Sequence, residues 1–164
     1  MPLPVFAQLL DSSCLTNSLN DATGLRHIDI GALAQSHNFY DGYDEQRHCH
    51  ILDEDKVLDE LEYRMTAGGN IVDYHGCDFF PKRWFDKVYV IRTDNTVLFD
   101  RLNQRGYSEQ KIRENVECEI FGVLADEARE NYDADIVEDI HSNTDADMDS
   151  NVTLISEFVK NWKQ

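Results

Sequence analysis

The chain has 164 residues, of which 41% are hydrophobic, and its net charge is −17 with histidine neutral. This length and composition predict one domain over residues 1–164, and the acidity argues against direct binding of nucleic acid, because no basic cluster offsets it. No apolar run is long enough for a membrane span, and no signal peptide or paired cysteine motif is evident, which predicts an intracellular protein with free thiols.

The N-terminal segment allows two predictions. The stretch PVFAQLL is apolar enough to form a strand at the centre of a sheet. Residues 9–20 also carry helical periodicity, so the first helix could begin early, with Asp11 or Ser12 as its cap. We therefore expect the N-terminal strand to be poorly specified.

Further along the chain, strands and helices alternate. Strands are predicted at 25–30, 70–74, 87–93 and 134–140. Helices are predicted after Asp53 and up to Gly68, over 96–105, from Ser108 to about residue 132, and from Ser150 as a cap to residue 162. The inward side chains predicted for the long helix after Ser108 are Ile112, Val116, Ile120, Val123 and Leu124.

The alternation of apolar strands with helices predicts an α/β fold, a parallel sheet covered by helices on both faces. Ligands of such sheets bind beyond the carboxyl ends of the strands. Within the strand 70–74, the apolar run Ile71–Val72 ends at Asp73, and Tyr74, His75 and Cys77 come shortly after it. An acid at this point can hold Mg²⁺ or its water in a nucleotide enzyme, but it can equally cap a helix or form a turn.

Four longer stretches make a family resemblance specific. They are YDGYDEQRHCHILDEDKVLDEL, GGNIVDYHGCDFFPKRWF, RLNQRGYSEQKIRENVECEIFGVL and NWKQ. From about Gly24 to the end, the chain resembles the adenylate kinase isoenzyme 6 family. The resemblance implies a P-loop NTPase fold of the nucleoside monophosphate kinase type. It also implies phosphoryl transfer from ATP to AMP with Mg²⁺, ATPase activity and a role in maturation of the small ribosomal subunit.

The resemblance also implies roles for individual residues. Segment 29–52 would close over the monophosphate, and segment 104–114 would be a short lid over ATP. The implied site residues are Asp73 for Mg²⁺ through water, His75 near the catalytic centre, Arg105 on the triphosphate, and Tyr40, Asp41 and Tyr43 on the substrate base. Structural alternatives remain open: a solvated loop at 40–46, a turn histidine bonded to a carbonyl, and a cation that favours a helix C-terminus.

The N-terminus departs from the family. No glycine precedes Gly24 and no lysine precedes Lys56, so the phosphate loop pattern G-x-x-x-x-G-K-[ST] is absent. Ser12 and Ser13 stand near the place of its Lys-Ser/Thr and would bind an anion only weakly. Losing roughly four charge-assisted hydrogen bonds costs on the order of 6 kcal/mol, or about 10⁴-fold in affinity. We therefore expect an altered N-terminal strand and loop and an impaired kinase. An alternative first exon, a shortened isoform or a mistaken gene model would each explain the abrupt junction.

Two other function classes remain. A kinase-shaped binding module could use its acidic surface to hold a basic partner such as a ribosomal protein in the nucleus, with the cytoplasm as an alternative. A metal protein would rest on His48, Cys49 and His50, with His75 and Cys77. Their spacing is unlike that of zinc sites, so we expect no zinc.

Overall fold

The computed structural model describes residues 4–8, 13–45 and 49–162. Its main sheet has five strands in the order β2-β5-β1-β6-β7, and every neighbouring pair is parallel. The strands are β1 (Pro4–Gln8), β2 (Arg26–Asp29), β5 (Asn70–Tyr74), β6 (Lys87–Arg92) and β7 (Val137–His141). A separate antiparallel hairpin joins β3 (Tyr40–Asp44) to β4 (Cys49–Leu52).

Seven α-helices are described, with a short 3₁₀ helix at Lys82–Trp84. They are α1 (Ser13–Thr23), α2 (Ile30–His37), α3 (Glu54–Ala67), α4 (Asn95–Gln104), α5 (Glu109–Phe121), α6 (Val123–Asn131) and α7 (Asp145–Trp162). None of these helices is both long and apolar enough to cross a bilayer.

The sheet separates two hydrophobic layers because successive strand residues point to opposite faces. Val72 of β5 packs with the buried residues of α2, α3 and α6. Its neighbour Ile71 packs with those of α1 and α7. The predicted α/β fold, with helices on both faces, is therefore confirmed. Helices α4 and α5 lie apart from both layers, with a small core of their own made of Leu98, Leu102 and Ile112.

Cap residues account for several helix ends. The side chains of Asp53 and Ser108 accept hydrogen bonds from the backbone N–H groups of Lys56 and Lys111, as the sequence predicts for helix caps. Gly68 ends α3 with a φ of 72°. The strand predictions at 70–74 and 87–93 agree with β5 and β6 to within one residue.

The predicted long helix after Ser108 is wrong. Gly122 has a φ of 65° and divides it into α5 and α6. Consequently Ile120 and Val123 are exposed, by 55% and 44%. Ala125 and Ala128 take the buried positions of α6 in their place. The change of direction at Gly122 lets α5 pair with α4 while α6 packs on the sheet.

The predicted start of the last helix is also wrong. Helix α7 begins at Asp145, and Ser150 lies inside it, where its hydroxyl donates to the carbonyl of Ala146. Thr144 and Asp147 exchange hydrogen bonds at the true start, at 2.9 and 3.1 Å. This reciprocal pair satisfies N–H groups that the first helical turn leaves open.

The N-terminal segment forms strand β1, and the residues between this strand and Ser13 lie outside the part of the chain that the structure describes. Strand β1 occupies the centre of the sheet, paired with β5 on one side and β6 on the other. The first described helix begins at Ser13. Asp11 and Ser12, the predicted caps, lie outside the described residues.

Candidate functional site at the carboxyl edge of the sheet

Asp73 lies at the carboxyl end of β5, between the ends of β1 and β2. It is only 6% exposed, and its Oδ2 lies 3.3 Å from Nε2 of His27 on β2. The next helical residue after Asp73 is Lys82, so the helix-cap alternative for this acid is wrong. Its carboxylate is an oxygen ligand of the kind that Mg²⁺ prefers.

The turn that follows β5, residues 75–78, is held by helix α6. Oε1 of Glu127 accepts hydrogen bonds from the backbone N–H of Cys77 at 2.6 Å and of Asp78 at 3.1 Å. The hydroxyl of Tyr132, directly after α6, donates to the carbonyl of Cys77 at 2.9 Å. Both backbone polar groups of Cys77 are thus satisfied by side chains from the same part of the chain.

His75 lies on the outer side of this turn. Its ring centroid is 4.2 Å from that of Tyr74, and the residue is exposed. Surrounding protein atoms lower the pKa of His75 by removing water from its charged form. Glu127 opposes this shift, Lys111 of α5 adds to it, and Asp73 opposes it. His75 donates to no backbone carbonyl of the described residues, so the turn-histidine alternative finds no support.

Segment 29–52 contains α2 and the β3–β4 hairpin, and the hairpin approaches the strand-end turn through Tyr74. Burial raises the pKa of Tyr74 to about 12, and the charges of Glu54 and Asp78 and the nearby Cys49 and Tyr40 contribute in the same direction. Charges on the hairpin and at the start of α3 therefore act on the end of β5.

The predicted substrate residues lie on β3. The ring of Tyr40 stacks on His50 with centroids 4.5 Å apart, and the ring of Tyr43 meets the edge of His50 at 5.2 Å. Asp41 is exposed, and its charge helps to raise the pKa of Lys56, although the bonded Asp53 is the main cause. His50, which the sequence analysis considered only for a metal site, is the ring that both tyrosines contact.

Segment 104–114 contains the last residue of α4, the connection to α5 and the first part of α5. Arg105 is exposed at the C-terminal end of α4, and Gly106 follows with a φ of 75°. This position agrees with the structural alternative of a cation at a helix C-terminus. Nζ of Lys111 lies 4.8 Å from the ring centroid of Tyr107, and the same lysine acts on the pKa of His75. The electrostatic effect of Lys111 connects this segment to the strand-end turn.

An ion pair with a buried carboxylate lies at the carboxyl edge of the sheet, where β6 ends. Nε of Arg92, at the end of β6, donates to Oε1 of Glu119 at 2.7 Å, and the Glu119 side chain is 8% exposed. An open cavity of about 380 Å³ lies beside this pair, lined in part by Asp94, His141 and Asn143. Polar groups from the ends of β6 and β7 thus face one space at the carboxyl edge.

The remaining predicted positions cannot be placed in the site. Ser12 lies outside the described residues, and Ser13 is the first residue of α1, with its side chain outside them. His48 is also outside them. Among the described residues, no group of three or more histidine, cysteine, aspartate or glutamate side chains is arranged to hold a metal ion.

Sequence reasoning missed three side chains of the site: His27, Glu127 and Tyr132. Their partners lie 46 to 55 positions away along the chain. No local pattern indicates such contacts, because they depend on how β2 and α6 pack against β5. Tyr132 was considered only as the end of a long helix.

Sequence comparisons give consistent results. The family model of the AAA domain matches residues 6–122. The match begins inside β1, upstream of Gly24, where the sequence resemblance was expected to begin. The chain is 48% identical to an adenylate kinase isoenzyme 6 homologue of Dictyostelium discoideum over 84% of this chain and 79% of that protein. It is 47% identical to a homologue of Caenorhabditis elegans over 92% and 84% of the two chains.

Solved structures support the same fold. The chain is similar to the dephospho-CoA kinase of Campylobacter jejuni, with a TM-score of 0.57 over 98% of this chain and 99% of that one, at 13% identity. A structure described as a kinase of Chloroflexus aurantiacus gives a TM-score of 0.58 over 95% and 97% of the chains, at 10% identity. At such identities the likeness concerns the fold alone.

Proposed function

Because the chain belongs to the family of adenylate kinase isoenzyme 6 homologues, we propose that its site serves phosphoryl transfer from ATP to AMP. The observation that supports this most is the placement of Asp73. A buried carboxylate lies near the end of a strand beside the central β1, 3.3 Å from His27 of β2, and Glu127 holds the turn that follows this strand. Phosphoryl transfer needs positioned charges more than covalent chemistry, and this arrangement supplies them.

The residues fit a metal that is shared with a substrate. Mg²⁺ in kinases is held by one or two carboxylates together with the phosphates of the nucleotide, so it needs no cage of protein ligands. Asp73 would hold it through water, and the ion would supply charge neutralisation when it is bound. Arg105 would contact the triphosphate, and His75 would orient groups near the transferred phosphoryl.

For the substrate base, we propose the hairpin β3–β4. Tyr40 and Tyr43 would stack on the base, and Asp41 would accept hydrogen bonds from its edge. In the structure both rings contact His50, so binding would exchange one ring contact for another.

The segment between β1 and α1 limits the activity. Its residues 9–12 are LLDS, which contain neither glycine nor lysine. Glycines allow consecutive N–H groups to face a phosphate, and a lysine neutralises the charge between the β- and γ-phosphates. We therefore propose that this chain binds Mg-ATP at least about 10³-fold more weakly than a relative with that loop. Calorimetry with millimolar Mg-ATP should give little heat, and micromolar binding would contradict the proposal.

A repaired chain tests the body of the site separately. Residues before Leu15 are replaced by a strand that ends in a G-x-x-x-x-G-K-[ST] loop. We expect Mg-dependent phosphorylation of AMP to appear, and to be lost again with Arg105→Ala or Asp73→Ala. Arg105→Ala should reduce mainly kcat, because lid contacts strengthen in the transition state. His75→Ala should reduce it less than Asp73→Ala. A repaired chain that folds cooperatively without turnover would contradict the proposed activity.

A binding module is the second candidate, and the net charge of −17 favours it. In this case the same body would hold a basic ribosomal protein during maturation of the small subunit, in the nucleus, with the cytoplasm as an alternative. Affinity for a purified basic ribosomal protein should fall steeply as salt rises. Salt-independent binding, or none at low salt, would exclude this candidate.

A further inference from the structure

Helix α6 and Tyr132, which directly follows it, make three short hydrogen bonds with the turn that follows β5. Two go from N–H groups to one oxygen of Glu127, at 2.6 and 3.1 Å, and one goes from the hydroxyl of Tyr132 to the carbonyl of Cys77, at 2.9 Å. Hydrogen bonds to a carboxylate are stronger than those between neutral groups. Of these side chains, only Glu127 holds two consecutive N–H groups of the turn.

We propose that Glu127 is a positioning residue that fixes the backbone of residues 75–78 and thereby the direction of His75. Its importance for turnover rests on the proposed function, whereas its effect on the turn does not.

The packing around the turn makes the carboxylate decisive. The side chain of Cys77 is fully buried in the layer that contains α3 and α6, so this residue is anchored by its side chain. Asp78 and His75 are exposed, so their side chains do not anchor the turn in the core as Cys77 does. The Glu127 carboxylate restrains the backbone on either side of Cys77, because it accepts from the N–H groups of Cys77 and Asp78 in succession, and Tyr132 holds the carbonyl of the peptide between them.

Gly76 shows that close packing is not what shapes this turn. A Cβ at position 76 would meet Tyr74, Glu127 and Asp78 only at 3.7 to 3.9 Å, which is ordinary contact. Crowding at Gly76 therefore does not fix the turn, whereas the hydrogen bonds to Glu127 act directly on its backbone.

The experiment uses the full chain with Glu127→Ala, Glu127→Gln and Glu127→Asp. Glu130→Ala is the matched control, since Glu130 is an exposed acid of the same helix. The first measurement is amide hydrogen exchange at Cys77 and Asp78. We expect Glu127→Ala to accelerate it at least about tenfold, because the acceptor is gone. Glu127→Gln keeps an oxygen acceptor and should stay within about threefold of the parent chain.

The second measurement reports the position of His75. Its ring-proton NMR shifts, assigned with His75→Gln, carry the ring current of Tyr74 at 4.2 Å. They are recorded at pH 8.5, about two units above the ordinary histidine pKa, so that the ring is neutral in every variant. Glu127→Ala should move them towards the values of an exposed histidine, and Glu127→Gln should restore them.

The third measurement is turnover of the repaired chain. Glu127→Ala should lower kcat about tenfold with KM for AMP within about twofold, since the effect is on geometry and not on binding. If the parent shows no turnover, the proposed function fails, while the exchange and NMR results still decide the role of Glu127.

Three results would overturn the inference. One is unchanged exchange and unchanged His75 shifts in Glu127→Ala. Another is an equal acceleration in Glu130→Ala, which would indicate general loosening of α6. The last is normal turnover despite an accelerated exchange. If Glu127→Ala does not fold, Glu127→Asp replaces it, because the shorter side chain cannot reach both N–H groups, and only Glu127→Gln should then behave as the parent.

Discussion

The turn 75–78 and the connection between α4 and α5 carry the candidate catalytic groups in opposite ways. The first is bonded to α6 by Glu127 and Tyr132, and Cys77 anchors it in the larger core. In the second, every residue from 103 to 111 is exposed, and the small core of α4 and α5 supports it. A site assembled from one part bonded to the sheet layer and one weakly supported part can keep the first fixed while the second moves.

The largest effects should come from cavities made in two of the hydrophobic cores, the one that contains α3 and the small one of α4 and α5. Leu61 of α3 is fully buried, and Leu102 of α4 is 1% exposed. Leu61→Ala should lower the free energy of unfolding by about 3 kcal/mol, and Leu102→Ala by about 2 kcal/mol, because a cavity near the surface collapses more easily. Native-state hydrogen exchange should show the second loss in α4 and α5 only. Equal loss of protection in α3 would refute two separately stable regions.

The ion pair that joins the regions comes next. Arg92→Ala leaves Glu119, whose side chain is 8% exposed, without its guanidinium partner. We expect a loss of about 2 kcal/mol in denaturant unfolding, which is below the cost at a fully buried pair because Arg92 is 26% exposed. Adding Glu119→Gln should recover roughly 1 kcal/mol by removing the isolated charge. If the double variant is no more stable than the single one, the charge is not the cause.

Alkaline pH should affect the rigid part at Tyr74. Its pKa is raised to about 12 by burial, so folding favours the neutral phenol. This contribution to stability is complete below pH 10, the ordinary tyrosine value, and is lost as pH rises towards 12. Tyr74→Phe should therefore lose less stability than the parent between pH 10 and 12. If the free energies of unfolding of Tyr74→Phe and of the parent chain fall equally between pH 10 and 12, the raised pKa of Tyr74 is contradicted.

The smallest effect is expected at Phe121, which ends α5 and is 73% exposed. Phe121→Ser should change the free energy of unfolding by less than about 0.5 kcal/mol. Phe80→Ser serves as the contrast: Phe80 is 4% exposed in the larger core, and its replacement should cost several-fold more. A large loss at Phe121 would mean that its ring is buried in solution.

The sheet was predictable from the sequence because its strands are covered on both faces. The strands at 70–74 and 87–93 both contain an apolar run, Ile71–Val72 and Val88–Ile91, with no alternation of polar residues, which is the pattern of a buried parallel strand. The acid at position 73 then marks the carboxyl edge without further information. Order among the strands was not predictable, since the central place of β1 depends on pairings with β5 and β6 that have no local signal.

The errors have a common physical origin. Both halves of the helix predicted after Ser108 are amphipathic, so periodicity alone runs through Gly122. What breaks the helix is the left-handed conformation at Gly122, where a Cβ would lie 4.0 Å from the guanidinium of Arg92. Likewise, the contacts of His27 and Glu127 join distant segments. Residues that act through tertiary contacts cannot be predicted from local patterns in a single sequence.

The ion pair of Arg92 and Glu119 has a consequence for how this fold can change in length. The α4–α5 hairpin leaves the sheet after Arg92 and returns at Glu119, and Oε1 of Glu119 accepts from the backbone N–H of Thr93 at 3.3 Å. The two ends of this hairpin therefore lie together, and the residues between them form a closed loop that leaves the sheet and returns to it. Lengthening such a loop costs only loop-closure entropy, about 0.6 kcal/mol per doubling of a flexible loop. Insertions at Gly106 would therefore lengthen the α4–α5 connection while the strands keep their register.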